Sequence, residues 1–217
     1  MTRSPQEASQ RARQICALAP VVPVLVIHDI SHARPLAEAL IAGGLRALEV
    51  TLRTPIALQV IREMSQVAGS IVGAGTLLTD TDVDSAITAG AQFGVSPGAT
   101  DTLLGSCEAR NLPLLPGAAT ATEAMRLFER GYDMMKFFPA EASGGAKALS
   151  ALAAPLPRIQ FCPTGGISPA NAPTYLSLPN VTCVGGSWVA PAELMSQGDW
   201  SAIEMLARTA AGLNTVY

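Results

Sequence analysis

Residues 47–73 read ALEVTLRTPIALQVIREMSQVAGSIVG and contain one complete strand–helix–strand unit. Its β-rich runs, Ala47–Thr51 and Ser70–Gly73, flank a candidate helix at Pro55–Met64. Thr54 supplies an N-cap, and Pro55 stands at the first helical position. A strand, a helix and a second strand in this order predict parallel strands joined by a right-handed crossover.

The same unit recurs along the whole chain. Eight β-rich runs begin 20–26 residues apart: Val21–Ile27, Ala47–Thr51, Ser70–Gly73, Gln92–Val95, Leu112–Leu115, Met134–Phe137, Ile159–Cys162 and Val181–Val184. Candidate helices fill the gaps, and the clearest are Pro35–Ala42, Pro55–Met64, Thr81–Ala89, Asp101–Arg110 and Thr122–Arg130. Eight units predict an α/β fold, a single (β/α)8 TIM barrel. A doubly wound open sheet is the alternative, but it usually has fewer units.

No linker or low-complexity tract divides the sequence, so we expect one barrel domain over residues 1–217. Residues 1–19 would form an extra N-terminal helix, residues 20–190 the barrel core and residues 191–217 the C-terminal helices. Within this last part, Trp200–Leu213 would be either the eighth barrel helix or an addition to the barrel.

Composition excludes several classes of function. Only 14% of the 217 residues are charged, the net charge is −3, and no basic cluster offers a nucleic-acid surface. No segment approaches the roughly 20 uninterrupted apolar residues that span a bilayer. The four cysteines form no CxxC pair, and we expect them to be buried as small apolar residues. We therefore expect a soluble cytoplasmic protein that binds neither nucleic acid nor membrane.

One lysine stands in an unusual place. Lys136 lies within the apolar run MMKFFP at residues 134–139. Burial of an ammonium disfavours its charge and lowers the pKa of the lysine. A neutral lysine is a nucleophile that can form a Schiff base with a ketone. The alternative is a lysine whose stem packs while its head reaches water.

The barrel prediction suggests which groups lie near this lysine, because the strands of a barrel deliver their C-terminal ends to one face. Glu49 lies in an apolar run, so it must be paired or have a raised pKa. It is either a proton shuttle beside Lys136 or half of a structural ion pair with a lysine or arginine. Arg53 could hold a substrate carboxylate, or it could be a solvated loop arginine. Thr76 could bond the same carboxylate, or it could be an ordinary helix cap.

Glycine pairs follow the last two runs. Gly165-Gly166 comes after Thr164, and Gly185-Gly186 comes before Ser187. Barrel enzymes commonly bind phosphate at these two strand ends, and together the pairs favour a phosphate site. The only histidines, His28 and His32, fall in one loop without a carboxylate motif. We expect them to be a solvated pair and expect no metal site.

Six motifs in order resemble one family. They are Glu49-Val50-Thr51-Leu52-Arg53-Thr54, Gly73-Ala74-Gly75-Thr76, Ser96-Pro97-Gly98, Lys136-Phe137-Phe138-Pro139-Ala140-Glu141, Cys162-Pro163-Thr164-Gly165-Gly166-Ile167 and Gly185-Gly186-Ser187-Trp188. The chain resembles the class I aldolases that act on 2-keto-3-deoxy-6-phosphogluconate and 4-hydroxy-2-oxoglutarate. The resemblance implies a (β/α)8 barrel, usually a homotrimer, without metal or cofactor.

The resemblance also implies roles for individual residues. Lys136 would be the Schiff-base lysine and Glu49 the acid/base residue. Arg53 and Thr76 would bind the pyruvate carboxylate, and Pro97 and Phe138 would wall the keto-acid pocket. The phosphate-side contacts implied by the resemblance are Thr164, Gly165, Gly166 and Ser187, and the glycine-pair argument adds Gly185 and Gly186.

The implied reaction cleaves 2-keto-3-deoxy-6-phosphogluconate to pyruvate and glyceraldehyde 3-phosphate. Cleavage of 4-hydroxy-2-oxoglutarate to pyruvate and glyoxylate is a second expected activity. The motifs leave the preferred substrate open, since one contact changes selectivity by only ~1–3 kcal/mol. Two other functions remain: an epimerase or isomerase on a phosphate-binding barrel, and a non-catalytic phosphosugar-binding protein.

Overall fold

The structure is a computed structural model that describes residues 4–213. Its strands are β1 (Val21–Leu25), β2 (Ala47–Thr51), β3 (Ile71–Gly75), β4 (Phe93–Val95), β5 (Leu114–Leu115), β6 (Gly117–Ala118), β7 (Met134–Phe137), β8 (Gln160–Pro163) and β9 (Val184–Gly186). Its α-helices are α1 (Pro5–Cys16), α2 (Ala33–Ala42), α3 (Ala57–Ser65), α4 (Asp80–Ala89), α5 (Asp101–Ala109), α6 (Ala121–Arg130), α7 (Gly145–Ala153), α8 (Ala172–Leu176), α9 (Ala192–Gln197) and α10 (Trp200–Ala211). A short 3-10 turn covers Ile30–His32.

The strands form a curled parallel arrangement, and this confirms the predicted α/β class. One sheet has six strands in the order β5-β4-β3-β2-β1-β9, and a second has three in the order β6-β7-β8. Single parallel bridges join Phe161 to Val181 and Thr164 to Gly185, at the side where β8 faces β9.

The fifth predicted run differs from the observed strands. Leu112–Leu115 was expected as one strand, but β5 covers only Leu114–Leu115, and an additional strand, β6, follows Pro116. Proline has no N–H to donate to a sheet, and it interrupts the ladder here. β5, in the predicted run, pairs with β4 of one sheet, and β6, just beyond the run, pairs with β7 of the other sheet. The described residues therefore contain nine strand segments in place of the eight expected.

The five candidate helices are confirmed to within two residues at each end. The predicted cap of α3 is wrong, however, because the helix begins at Ala57 with Ile56 as its N-cap. The Ala57 N–H donates to the Thr54 carbonyl at 3.2 Å, so the chain makes one more turn before the helix starts. Helix ends are the least certain part of such a prediction.

Helix α1 is anchored at the start of β7. Ser9 Oγ accepts from the N–H groups of Asp133 at 2.9 Å and Met134 at 3.2 Å. Arg13 forms an ion pair with the Asp133 carboxylate at 2.8 Å. Its last turn adds Ile15 and Cys16 to the apolar cluster inside the sheet. Since α1 occupies the N-terminal end of the strands, the C-terminal end is left for a site.

Helix α10 lies in the outer helical layer beside α2. A Cβ at Gly43 would come within 2.4 Å of the Ala207 Cβ, so the glycine allows this close approach. The end of the predicted C-terminal region, residues 214–217, lies outside the described residues, as do residues 1–3.

The cysteine prediction is confirmed, since all four thiols are free and buried. Within residues 4–213, no helix is long and apolar enough to cross a membrane.

Candidate active site

The centre of the site is a buried ion pair between two distant strands. Lys136 on β7 and Glu49 on β2 are 87 residues apart in sequence, yet Nζ donates to Oε1 at 3.2 Å. Each residue is only 3% exposed. β2 and β7 belong to different sheets, so the contact crosses the interior that the curled sheets enclose. The alternative in which Lys136 extends to water is therefore wrong, because its head is buried against Glu49.

The space for this pair comes from glycines on the neighbouring strands. A Cβ at Gly75 would lie 2.3 Å from Glu49 Oε1 and 2.8 Å from its carboxyl carbon. Gly117 stands in register beside Lys136 on the other side. A bulkier residue at Gly75 would displace the Glu49 carboxylate, whereas one at Gly117 would collide with the backbone of Pro97 and Gly98.

Gly75→Ala is expected to destabilise the protein by about 1–3 kcal/mol, the usual scale of overpacking. The added methyl group must push the Glu49 carboxylate away from Lys136, so activity should fall as well. Thermal unfolding and steady-state kinetics measure the two effects. Gly105→Ala is the control, because its Cβ would meet only Arg130 Nη2 at 3.6 Å. If both variants behave alike, close packing at Glu49 does not shape the site.

An open cavity of about 260 Å³ lies at the C-terminal ends of the strands. Eight predicted site residues line it: Arg53, Phe138, Thr164, Gly165, Gly166, Gly185, Gly186 and Ser187. The Phe138 ring centre is 5.3 Å from Lys136 Nζ, so this ring joins the cavity to the buried pair. The structure thus brings most of the predicted site together.

The other two predicted residues, Thr76 and Pro97, do not line this cavity. Thr76 Oγ1 accepts a hydrogen bond from Arg53 Nε at 3.4 Å, and Thr76 has a positive φ of 64°. Pro97 contacts Gly117, where a Cβ would come within 2.3 Å of the Pro97 carbonyl group.

Sequence reasoning missed the apolar part of the wall, which is formed by Val24, Val26 and Ile167. Val24 and Val26 are two residues apart in the first run and therefore share a face, but every residue of this run is apolar, so its pattern does not mark that face.

The histidines lie beside a neighbouring cavity of about 510 Å³, which shares Val24, Val26 and Ser187 with the first. His28 is exposed, as expected. His32 is not fully solvated, since its ring packs edge-on against Trp200 at 5.6 Å. In the described part of the chain, no cluster of three or more His, Cys, Asp or Glu side chains could hold a metal ion.

A buried lysine–carboxylate pair beneath a glycine-rich cavity defines a class of α/β proteins suited to lysine-based carbonyl chemistry. The chain belongs to the KDPG and KHG aldolase family, whose model matches residues 12–206.

Individual relatives agree with this assignment. A 2-dehydro-3-deoxy-phosphogluconate aldolase of Pseudoalteromonas atlantica is 51% identical over 211 residues, covering 97% of each chain. The crystal structure of the 2-keto-3-deoxy-6-phosphogluconate aldolase of Zymomonas mobilis ZM4 with 3-phosphoglycerate is 48% identical. It has a TM-score of 0.92 and covers 96% of this chain and 98% of its own.

A third relative carries a reaction intermediate. This is the KDPG aldolase from Legionella pneumophila with pyruvate captured at low pH as a covalent carbinolamine intermediate. It is 43% identical with a TM-score of 0.89, over 92% of this chain and 98% of that one.

Proposed function

We propose that this protein is a Schiff-base aldolase that cleaves 2-keto-3-deoxy-6-phosphogluconate to pyruvate and glyceraldehyde 3-phosphate. The observation that carries the proposal is the buried contact between Lys136 Nζ and Glu49 Oε1 at 3.2 Å. Family membership and the substrate names of the relatives support it. Cleavage of 4-hydroxy-2-oxoglutarate to pyruvate and glyoxylate is proposed as a second activity, since the family description includes KHG.

The first half of the reaction forms the imine. Lys136 passes a proton to Glu49, and its free amine attacks C2 of the keto acid. Glu49 then returns the proton to the departing hydroxyl, so the carbinolamine loses water. The protonated imine that remains can accept an electron pair from the neighbouring carbon.

The second half breaks the carbon–carbon bond. Glu49 removes the proton of the C4 hydroxyl, and the electrons of the C3–C4 bond move into the imine. Glyceraldehyde 3-phosphate leaves, and an enamine stays on Lys136. Protonation at C3 and hydrolysis of the imine release pyruvate and restore the lysine.

The remaining side chains would bind and orient the substrate. Arg53 and Thr76 would hold the carboxylate, and Pro97 and Phe138 would wall the keto-acid end. Six residues would bind the distal phosphate: Thr164, Gly165, Gly166, Gly185, Gly186 and Ser187. Fixing both ends of the substrate in this way contributes to catalysis by orientation.

A pyruvate-release assay tests the function. Pyruvate and glyceraldehyde 3-phosphate should appear in equal amounts from 2-keto-3-deoxy-6-phosphogluconate. Pyruvate release from the galacto epimer and from 4-hydroxy-2-oxoglutarate, measured in parallel, establishes which substrate is preferred. An epimerase or isomerase would convert substrate without pyruvate release, and a phosphosugar-binding protein would bind it unchanged.

Related proposals concern the barrel, the oligomer and the cellular compartment of the protein. We infer that β5 and β6 act as one strand across Pro116 and that the strands close into an eight-stranded barrel within a single domain. The two bridges between the β8 and β9 segments support this closure.

A homotrimer follows from the family resemblance, and light scattering should give about three times the 22.4 kDa of one chain. The free thiols favour a reducing compartment such as the cytoplasm.

A further inference from the structure

A buried tyrosine and a glutamate lie directly behind the glycine turn of the cavity. Tyr175 on α8 is 1% exposed, and its hydroxyl donates to Glu141 Oε1. Glu141 is in the same motif as Lys136, in the turn that follows β7. It has no part in the reaction steps described above.

Glu141 packs against the Gly165–Gly166 turn. Its N–H donates to the Gly165 carbonyl at 3.1 Å, and a Cβ at Gly166 would lie 2.6 Å from the Glu141 Cγ. Both glycines have positive φ, 102° and 79°, so the turn adopts a conformation that other residues rarely take. The position of Gly166 therefore depends on where the Glu141 stem lies.

The other side of the turn is also fixed. Asn171 Nδ2 donates to the Gly166 carbonyl at 3.0 Å, and Asn171 Oδ1 accepts from the Ser168 N–H at 2.8 Å. Asn171 immediately precedes α8, the helix that carries Tyr175. Gly166 is thus held from two sides, by Asn171 through its carbonyl and by Glu141 through its Cα.

We infer that Glu141 and Tyr175 are positioning residues that hold the Gly165–Gly166 turn in the shape that receives the substrate's distal phosphate. They would set the preference for phosphorylated over unphosphorylated 2-keto acids. This inference rests on the proposed aldolase function and on the proposed phosphate role of the turn.

Tyr175 has a second effect, because its hydrogen bond also fixes where the negative charge of Glu141 lies relative to the phosphate. A carboxylate next to a phosphate site repels the ligand unless it is held away and hydrogen-bonded. Burial, followed by the hydrogen bond to Glu141, raises the pKa of Tyr175 above its usual range, so its hydroxyl stays a donor at working pH. Removal of this hydroxyl would loosen the turn and free the carboxylate, and both changes weaken phosphate binding.

Tyr175→Phe tests the inference, and the chain supplies a matched control. Tyr132 is also 1% exposed and donates to a glutamate, Glu108, at 3.1 Å, but it precedes β7 at the opposite end of the strand. Tyr175→Phe should raise KM for 2-keto-3-deoxy-6-phosphogluconate about tenfold, the scale of one charge-assisted hydrogen bond. The KM for 4-hydroxy-2-oxoglutarate and the yield of borohydride-trapped pyruvate should stay within about twofold, as should every value for Tyr132→Phe.

Two variants of Glu141 complete the experiment. Glu141→Ala should reproduce the selective rise in KM. Glu141→Gln keeps the stem and an acceptor for the Tyr175 hydroxyl, so its KM for 2-keto-3-deoxy-6-phosphogluconate should remain closer to that of the wild type. An equal rise in KM for both substrates, or no rise in KM in Tyr175→Phe, would overturn the inference. The aldolase function would still stand in that case, provided that the wild type traps pyruvate. Absence of trapping in the wild type would instead refute the proposed function itself.

Discussion

Borohydride reduction in the presence of pyruvate is expected to inactivate the protein irreversibly and to attach one pyruvate-derived group to Lys136. The imine of a lysine and a ketone is reduced to a stable secondary amine, which hydrolysis cannot reverse. The sequence has two lysines, Lys136 and Lys147. Lys147 is exposed on α7, whereas Lys136 is buried against Glu49, so peptide mass mapping separates the two outcomes.

Substitution of the same lysine should have the largest kinetic effect of any single change. Lys136→Arg keeps a positive charge beside Glu49 but cannot form the imine, so kcat/KM should fall by at least about 10⁴-fold. Lys147→Arg is the control and should retain activity within about twofold. Thermal unfolding of both variants distinguishes a lost nucleophile from a lost fold. Labelling at Lys147, or substantial turnover by Lys136→Arg, would exclude a mechanism that forms the imine at Lys136.

The α/β class and the order of strands and helices were predictable from the sequence because each strand–helix unit carries its own local signals. The run Ala47–Thr51 and the helix that follows it are recognisable without knowledge of the rest of the chain. The errors arose where one residue changes the hydrogen bonding, as when Pro116 separates β5, at the end of the fifth predicted run, from the additional strand β6. Whether Thr54 caps α3 depends on the path of the turn, and the sequence does not specify that path.

The sequence identifies the candidate site residues but not their geometry. Lys136 and Glu49 stand out because each is a charge in an apolar run, but their 3.2 Å contact depends on how the sheet curls. The space at Gly75 and the bond between Tyr175 and Glu141 arise from tertiary packing between elements distant in sequence. No local pattern marks such contacts, so the sequence gives no sign of them.

Glu49→Gln is expected to lower kcat by about 10²–10⁴-fold while binding of pyruvate changes little. Glutamine keeps the shape of the side chain and an oxygen that accepts from Lys136, but it cannot take or return a proton. The proton transfers at the carbinolamine, at the C4 hydroxyl and at the enamine all lose their shuttle. Steady-state kinetics give kcat, and competitive inhibition by pyruvate gives the binding constant.

The same variant separates proton transfer from a purely structural ion pair. If Glu49 only stabilised the fold, its loss would leave a buried ammonium uncompensated, at about 3–5 kcal/mol, without a selective effect on chemistry. Exchange of the pyruvate methyl protons with deuterated water reports the enamine step directly, and it should slow in parallel with kcat. Glu63→Gln is the matched control, because Glu63 pairs with Arg34 on the protein surface at 2.8 Å. Normal proton exchange in Glu49→Gln would assign the acid/base role to another group, since a structural partner of Lys136 would alter stability rather than exchange.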